Sequence, residues 1–210
     1  MSATDSQGVV LLVSGPAGVG KTTVCEALLK EFAPQLQRAV TATTRPPREG
    51  ERDGVDYHFL SDEDFDRKVA AGDFYERALV HGRRYGTLKD EVRRRLESGA
   101  DLLLNVDVQG AEAFRRASET DALLAGRLLT VFLAPEGLNE LRARLARRGT
   151  DSEEEIERRM QVAEDEMARS GEYDYRVVSS TKENDYARAR GLYLEGRARR
   201  QAGAPPYRTL

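Results

Sequence analysis

The 210-residue sequence contains a single cysteine, Cys25, and no long apolar run. One thiol excludes an internal disulfide framework, and nothing nearby pairs with it, so we interpret Cys25 as a small apolar residue of a helix. No apolar run is long enough to span a bilayer, and the first residues lack the charged-then-apolar profile of a secretion signal. We therefore expect a soluble cytoplasmic protein with no membrane partner.

The sequence also lacks a large net charge. Its 33 Lys and Arg residues are balanced by 36 Asp and Glu residues, for a formal charge of −3. Such a chain has no overall field that attracts nucleic acid, so we expect no nucleic-acid partner and only local anion sites. Arginines do gather locally, at positions 45, 48 and 52, at 83 and 84, and between 142 and 148.

The most informative segment has the pattern GxxxxGK[ST] and follows an apolar run at 9–13. Its glycines let backbone N–H groups approach phosphate oxygens, and a predicted helix at 23–32 adds the positive end of its dipole. A glycine-rich turn without a ligand is the alternative, but strand, loop, Lys-Thr and helix occur in the order that the motif requires. The predicted phosphate loop consists of Gly15, Pro16, Ala17, Gly18, Val19, Gly20, Lys21 and Thr22.

Two side chains of this loop have predicted chemical roles. Lys21 supplies a mobile ammonium that reaches the β- and γ-phosphates of a nucleotide. The Thr22 hydroxyl is the predicted ligand of Mg²⁺.

Strand and helix patterns alternate along the chain. Continuous apolar runs at 101–107 and 128–134 are typical of strands buried on both faces of a parallel sheet. Shorter strands are predicted at 38–42, 55–60, 74–80 and 175–179, and helices at 61–71, 88–96, 135–147, 150–168 and 184–200. Thr150 and Glu153 have the spacing of a capping box for the fourth of these helices.

These patterns predict an α/β fold with a P-loop NTPase-type parallel sheet flanked by helices. The predicted kinase core comprises 8–45 and 88–201, an inserted subdomain comprises 46–87, and a poorly ordered tail comprises 202–210. Because ligands of open α/β sheets bind beyond the carboxyl ends of the strands, Asp107 should face the crevice of the phosphate loop.

Several further segments occur in an order typical of one enzyme family. They are TATTRPPREGE at 41–51, GVDYHF at 54–59, GDFYE at 72–76, YGT at 85–87, VDVQGA at 106–111 and RRGTDSEE at 147–154. With the phosphate loop, they span nearly the whole chain and closely resemble guanylate kinases. The resemblance implies transfer of the γ-phosphoryl group of MgATP to GMP, giving GDP and ADP, with Mg²⁺ as the cofactor and ATP on the phosphate loop.

The resemblance also implies a phosphate site for GMP. Family residues that hold this phosphate match Thr41, Arg45, Arg48, Tyr57 and Tyr85. Two arginines around a pair of prolines can offer planar forks of donors to one phosphate monoester, and tyrosines add hydroxyl donors. Without the resemblance, such an arginine pair would be interpreted as solvated charge.

Glu76 and Thr87 match the family residues that recognise guanine. A carboxylate can accept from both N1–H and the N2 amino group, while a hydroxyl donates to O6; adenine would turn an acceptor toward the carboxylate. Without the resemblance, Glu76 would be an ordinary exposed carboxylate on a strand. Asp107 matches a carboxylate near GMP and the metal, which either orders metal-bound water or positions Arg45.

Arg148 and Arg159 match lid arginines that close over the transferring phosphoryl group, and the implied lid spans about 148–170. Phosphoryl transfer needs positioning and charge neutralisation more than it needs a base. The predicted catalytic set is therefore Lys21, Arg45, Arg148 and Arg159.

Two positions depart from the family pattern. Asn105 stands where many relatives have an acidic residue, so we assign it no metal role. Ser179-Ser180 stands where relatives often have Asn-Asp near the adenine of the donor, so the acceptor base is better specified than the donor base.

Two alternatives to a guanylate kinase remain at this point. The first is a phosphopeptide-binding module, against which the intact phosphate loop and both lid arginines argue. The second is a related small-molecule kinase, for example one acting on phosphorylated ribose, and Glu76 and Thr87 are the residues that discriminate. The sequence leaves open whether the protein is a monomer or a homo-oligomer.

Overall fold

The computed structural model describes residues 8–80, 82–147 and 152–207. The strands are β1 (Val10–Ser14), β2 (Leu36–Arg38), β3 (Ala42–Thr43), β4 (His58–Phe59), β5 (Phe74–Val80), β6 (Arg83–Leu88), β7 (Asp101–Asn105), β8 (Leu128–Ala134) and β9 (Tyr175–Val178). The helices are α1 (Lys21–Phe32), α2 (Asp62–Ala70), α3 (Lys89–Glu97), α4 (Val108–Thr120), α5 (Leu138–Arg147), α6 (Glu153–Ala168) and α7 (Lys182–Gln201).

The central sheet has five parallel strands in the order β2-β7-β1-β8-β9. β1 lies in the middle, where Leu12 is in register with Leu104 of β7 and Thr130 of β8. All residues of β1 and β8 are buried, as expected for strands covered on both faces. The predicted α/β class, a parallel sheet flanked by helices, is confirmed.

Helices cover both faces of this sheet. Phe114 of α4 packs in the core on one face, and Leu28 of α1 and Tyr193 of α7 pack on the other. The buried carboxylate of Asp101 accepts hydrogen bonds from the Tyr193 hydroxyl at 2.7 Å and from the backbone N–H of Val9 at 2.8 Å. This pairing joins α7 to the amino-terminal end of β7, at the end of the sheet opposite the phosphate loop.

A second sheet has the strand order β4-β3-β6-β5. β5 and β6 form a hairpin and pair antiparallel, with Ala78 opposite Tyr85. This sheet includes Ala42–Thr43, which precede the predicted start of the insertion at residue 46. The division of the chain into core, insertion and tail stays a prediction.

The predicted strand at 38–42 is wrong in its bounds. β2 ends at Arg38 and β3 begins at Ala42, so the residues between them carry the chain from one sheet to the other. There the backbone N–H of Val40 donates to the Glu91 carboxylate at 3.2 Å rather than to a strand.

The predicted strand at 55–60 is also too long, because His58–Phe59 form the strand and Tyr57 makes an isolated bridge with Asp53. Acidic side chains hold the backbone on either side of this segment: Asp56 accepts from the N–H of Arg52 at 2.7 Å, and Asp53 accepts from the N–H of Phe59 at 2.8 Å. The first of these bonds holds residues 52–56 in a turn, because a side-chain acceptor replaces a strand partner there.

The predicted capping box of α6 is wrong as well. Ser152 is the N-cap, and its hydroxyl accepts from the backbone N–H of Glu155 at 3.2 Å. Thr150 lies outside the described residues. The helix itself ends at Ala168, as predicted.

Residues 202–207, the described part of the predicted tail, pack against the protein. Pro206 is buried, and Tyr207 packs against the core beneath α7. The Arg199 guanidinium donates to the carbonyl of Pro205 at 3.0 Å, which holds this segment against the helix.

Among the described helices, none has the length and apolar character that crossing a membrane requires.

Candidate active site

The loop between β1 and α1 has the backbone that its glycines permit. Gly15, Gly18 and Gly20 have φ of 136°, 87° and 114°, in the left-handed region that other residues rarely adopt. A Cβ at Gly15 would lie 2.1 Å from the carbonyl oxygen of Leu133. The chain can therefore pass this close to β8 only with glycine at position 15.

Lys21 and Thr22 begin α1 directly after this loop. The Lys21 ammonium donates to the carbonyls of Gly15 and Pro16, the latter at 3.0 Å, so it lies over the loop. Thr22 is exposed at the helix N-terminus. Free N–H groups, a helix dipole and a mobile ammonium thus face the same space, which suits a polyphosphate.

Arg45 lies at the centre of a second cationic group. Its guanidinium donates to the Glu51 carboxylate at 2.8 Å and lies 5.3 Å from the ring centre of Tyr57. The hydrogen bond that Arg45 donates to Glu51 raises the pKa of Arg45, with a further contribution from the nearby Tyr85 hydroxyl. The rings of Tyr57 and Tyr85 are 6.0 Å apart. The structure therefore brings together three of the residues that the sequence assigned to the phosphate of GMP.

Two other residues of that predicted site lie on the flanks of this cluster. Thr41 precedes β3, and its carbonyl accepts from His58 of β4 at 2.9 Å. Arg48 is exposed, and its backbone N–H donates to Glu51 at 2.7 Å.

Sequence reasoning missed Glu51. Its two carboxylate oxygens hold Arg45 and the backbone of Arg48, and these hydrogen bonds lower the pKa of Glu51. The sequence carried one signal for this role, because Glu51 is a carboxylate that lies between Arg48 and Arg52. Glu51 fixes the positions of the two arginines before any phosphate arrives.

Glu76 and Thr87 are directly paired on β5 and β6. The Thr87 hydroxyl donates to the Glu76 carboxylate at 2.6 Å. Burial raises the pKa of Glu76, Thr87 opposes this effect, and the charge of Asp107 adds to it. Glu76 is thus partly enclosed next to Asp107, rather than exposed on a strand.

Asp107 lies where the second sheet and α6 approach each other, and it interacts electrostatically with both. It lies two residues beyond the end of β7 and caps α4, where its carboxylate accepts from the N–H of Gly110 at 2.7 Å. Its charge acts on Glu76 of the second sheet and on Glu166 of α6. The predicted strand at 101–107 therefore stops at Asn105, and Asp107 begins the next helix.

The helices α5 and α6 form a hairpin with its own small core, which includes Leu145 and Met160. Arg159 donates to the Glu155 carboxylate at 2.9 Å. The adjacent Arg158 and Arg159 lower the pKa of Glu155 to about 2. Arg148, the other predicted lid arginine, lies outside the described residues.

Glu166 is a second residue that sequence reasoning missed. It lies near the end of α6, where Lys21 and Asp107 are its electrostatic neighbours. Burial raises the pKa of Glu166 to about 7; Lys21 opposes the shift, and Asp107 adds to it. Glu166 is one of many acidic residues in this helix, so the sequence carries no signal that distinguishes it.

We expect Glu166→Gln to stabilise the protein at pH 8 more than at pH 5. The raised pKa means that the Glu166 carboxyl is protonated in the folded protein below about pH 7. Above that pH the enclosed carboxylate is charged, which destabilises the fold. Stability is therefore lost as the pH rises through 7, by on the order of 1–2 kcal/mol, or about 2–6 °C in Tm. Thermal unfolding of both proteins at the two pH values measures the difference.

Glu164→Gln is the matched control, because Glu164 is exposed on the same helix. It removes the same charge and should change stability by less than about 0.5 kcal/mol at either pH. Equal effects of the two substitutions would contradict the environment that we assign to Glu166.

A cavity of about 570 Å³ opens on the outer side of the phosphate loop. Its walls are the loop at residues 18–20, α5, and the turn that joins β9 to α7. Arg144 of α5, which sequence reasoning did not select, bridges these walls by donating to the Val19 carbonyl at 3.2 Å and to the Ser179 hydroxyl at 3.1 Å. Ser180 therefore lines this cavity, and the buried Ser179 lies behind its wall, where its hydroxyl accepts from Arg144.

The oxygen atoms in the crevice suit a hard divalent cation. Thr22 presents a hydroxyl beside the phosphate loop, and the carboxylate of Glu166 lies within electrostatic range of both Lys21, the preceding residue, and Asp107. No group of three or more metal-binding side chains occurs within the described ranges. Mg²⁺ needs few protein ligands, since it keeps several waters and binds substrate phosphates, so the residues fit this ion.

Comparison with known proteins agrees with this geometry. A family model described as guanylate kinase matches residues 7–191. Guanylate kinases from Campylobacter jejuni (strain RM1221) and Maricaulis maris (strain MCS10) are 37% and 43% identical over 90% and 87% of this chain, and over 89% and 79% of their own lengths. A crystal structure of guanylate kinase from Anaplasma phagocytophilum has a TM-score of 0.64 and 28% sequence identity, covering 91% of this chain and 87% of that one. The chain belongs to the guanylate kinase family.

Proposed function

We propose that this kinase transfers the γ-phosphoryl group of MgATP to GMP through the residues described above. The bond between the γ-phosphorus and the β,γ-bridging oxygen breaks, a bond from that phosphorus to a phosphate oxygen of GMP forms, and the products are ADP and GDP. The observation that carries the proposal is the paired Glu76 and Thr87 at 2.6 Å, because it matches the donor and acceptor pattern of guanine. We also place the reaction in the cytoplasm, where both nucleotides are found.

The acceptor phosphate would bind at the cluster around Arg45. Arg45, Arg48, Tyr57 and Tyr85 can all donate hydrogen bonds to it, and Thr41 adds a hydroxyl. Glu51 holds the guanidinium of Arg45 in place at 2.8 Å. Binding therefore requires little reorganisation, which is how a preorganised site lowers the cost of positioning.

The donor triphosphate would bind along residues 15–22. Backbone N–H groups of the loop cradle its phosphates, and the Lys21 ammonium exchanges the loop carbonyls for phosphate oxygens. Thr22 would hold Mg²⁺, with Asp107 and Glu166 positioned to order its waters. When bound, this ion would neutralise charge on the β- and γ-oxygens.

Arg148 and Arg159 would complete the charge around the transferring group once the lid closes. Arg159 already projects from α6, where Glu155 holds it at 2.9 Å. Closure of the α5–α6 hairpin would exclude water, which would otherwise compete with GMP for the phosphoryl group.

A coupled assay for ADP release tests the proposed function. With MgATP in excess, we expect fast release with GMP and slow release with AMP or a ribose phosphate. Background release without an acceptor should be slower still. No GMP-dependent ADP release would refute kinase activity, and faster release with ribose phosphate would favour the small-molecule-kinase alternative.

A further inference from the structure

Two short stretches of chain connect the central sheet to the second sheet. Residues 39–41 lead from β2 to β3, and β6 leads at Leu88 directly into α3. α3 belongs to the core of the central sheet, because its residues Val92 and Leu96 are buried there. These two stretches are therefore the covalent links through which the core can position the second sheet.

Glu91 of α3 is a buried charge where the two links approach each other. It is 1% exposed. Its Oε1 accepts from the backbone N–H of Val40 at 3.2 Å and from Nε of Arg95 at 2.9 Å, and its Oε2 accepts from Arg94 at 2.8 Å. Burial of a carboxylate is costly unless it is paired in this way. The bond to Val40 ties α3 to the other link between the sheets.

His58 of β4 faces the same carboxylate. Its Nε2 lies 3.5 Å from Oε2 of Glu91, and this nitrogen is buried and makes no hydrogen bond within the described part of the chain. Side chains alternate along an extended chain, so His58 points toward α3 while its neighbours Tyr57 and Phe59 point the other way. The rings of these two neighbours lie 5.3 and 5.8 Å from the Arg45 guanidinium.

The residues that Glu91 holds are adjacent to two residues of the proposed phosphate site. Val40 precedes Thr41, and His58 follows Tyr57. The two segments are also bonded to each other, since the N–H of His58 donates to the carbonyl of Thr41 at 2.9 Å. One carboxylate thus braces the backbone beside two of the hydroxyls that are assigned to the phosphate of GMP.

We infer that Glu91 is a positioning residue for the phosphate of the acceptor. It holds Val40 so that the Thr41 hydroxyl is in place, and it holds His58 so that the Tyr57 hydroxyl is in place. This role rests on the proposed function, in which those hydroxyls bind GMP. Because Glu91 is buried, it acts through these neighbours, and its loss should weaken GMP binding while leaving the transfer step unchanged.

Glu91→Met and Glu91→Gln test this role by steady-state kinetics with GMP and MgATP. Both side chains match glutamate in length and favour a helix, but only glutamine keeps an oxygen that can accept from Val40. Glu91→Met should raise KM for GMP by about tenfold, a typical loss when a hydrogen bond to a charged group is weakened, and Glu91→Gln should raise it by less than about threefold. In both variants kcat and KM for ATP should stay within about twofold of the wild-type values.

Guanosine separates positioning of the phosphate ligands from a general defect of the second sheet. It lacks the phosphate, so its binding depends on Glu76 and Thr87 rather than on the hydroxyls near Glu91. As a competitive inhibitor against GMP, guanosine should keep its Ki within about twofold in Glu91→Met, whereas Kd for GMP, measured by calorimetry without ATP, should rise about tenfold. Equal losses for guanosine and GMP would overturn the inference, because they would mean that the whole site is disturbed.

Glu97→Met is the matched control, because Glu97 is exposed at the end of the same helix, and its constants should equal those of the wild type. If circular dichroism shows that Glu91→Met is unfolded at the assay temperature, Glu91→Asp takes its place. Aspartate keeps the charge but is one methylene too short to reach Val40, so KM for GMP should again rise. An unchanged KM for GMP in the folded variant would overturn the inference and leave the proposed function intact. Absence of GMP-dependent ADP release in the wild type would instead refute the proposed function.

Discussion

Lys21→Ala should lower kcat for phosphoryl transfer from ATP to GMP by about a hundredfold or more, a typical loss when one preorganised stabilising group is removed from a transition state. The Lys21 ammonium lies over the phosphate loop, where it donates to the carbonyls of Gly15 and Pro16. As the bond to the γ-phosphorus breaks, negative charge would develop on the β,γ-bridging oxygen. The Lys21 ammonium would stabilise that charge. The measurement is steady-state turnover with both substrates saturating.

The same substitution should leave the fold intact. Lys21 is only partly buried and takes no part in the two cores that flank the sheet. Lys30→Ala is the matched control, since Lys30 is exposed in the last turn of the same helix and should retain normal turnover. Near-normal turnover of Lys21→Ala, or a large loss of thermal stability, would contradict the assignment of the loop.

Local patterns made the phosphate loop and the central strands predictable. The glycines of the loop, the apolar run of β8 and the Ser61 cap of α2 each depend on neighbours within a few residues. Their signals are therefore complete in the sequence. The predicted bounds of β8 are confirmed.

Contacts between distant segments could not be predicted in this way. Val40 departs from strand geometry because Glu91, 51 residues away, accepts its N–H. Tyr207, near the C-terminus, packs against a core cluster whose residues come from distant strands and helices. In each case the deciding partner has no fixed spacing from the residue that it controls.

The residues of the candidate site show the same difference between local patterns and distant contacts. Glu76 was identified through the family resemblance, whereas its burial beside Asp107 became visible only when β5 and α4 came together. Glu166 and Arg144 gained their positions from the packing of α5 and α6 against the sheet and the loop. Charge patterns alone do not separate such residues from the exposed charges of the same helices.

Glu76→Gln should lower the preference for GMP over AMP by about tenfold or more. The Glu76 carboxylate can accept from two donors of guanine, while glutamine keeps one acceptor and turns an N–H toward an N–H. An unpaired polar group in an enclosed site costs about 1–3 kcal/mol. Arg45 and Arg48 would still hold the phosphate, so GMP should bind more weakly without being excluded. The measurement is the ratio of kcat/KM for GMP to that for AMP in both proteins.

The pH dependence of this ratio separates recognition from a structural defect. Burial raises the pKa of Glu76, so the carboxylate gains a proton at a higher pH than an ordinary glutamate does. Only the ionised form accepts both hydrogen bonds; preference for GMP in the wild type should therefore rise with pH through that raised pKa, and in Glu76→Gln it should be flat. AMP carries the same phosphate, so its titration cancels in the ratio. Glu63→Gln, at an exposed position of α2, should behave as wild type. A Glu76→Gln ratio equal to that of the wild type would place guanine recognition elsewhere and favour a kinase for another phosphorylated acceptor.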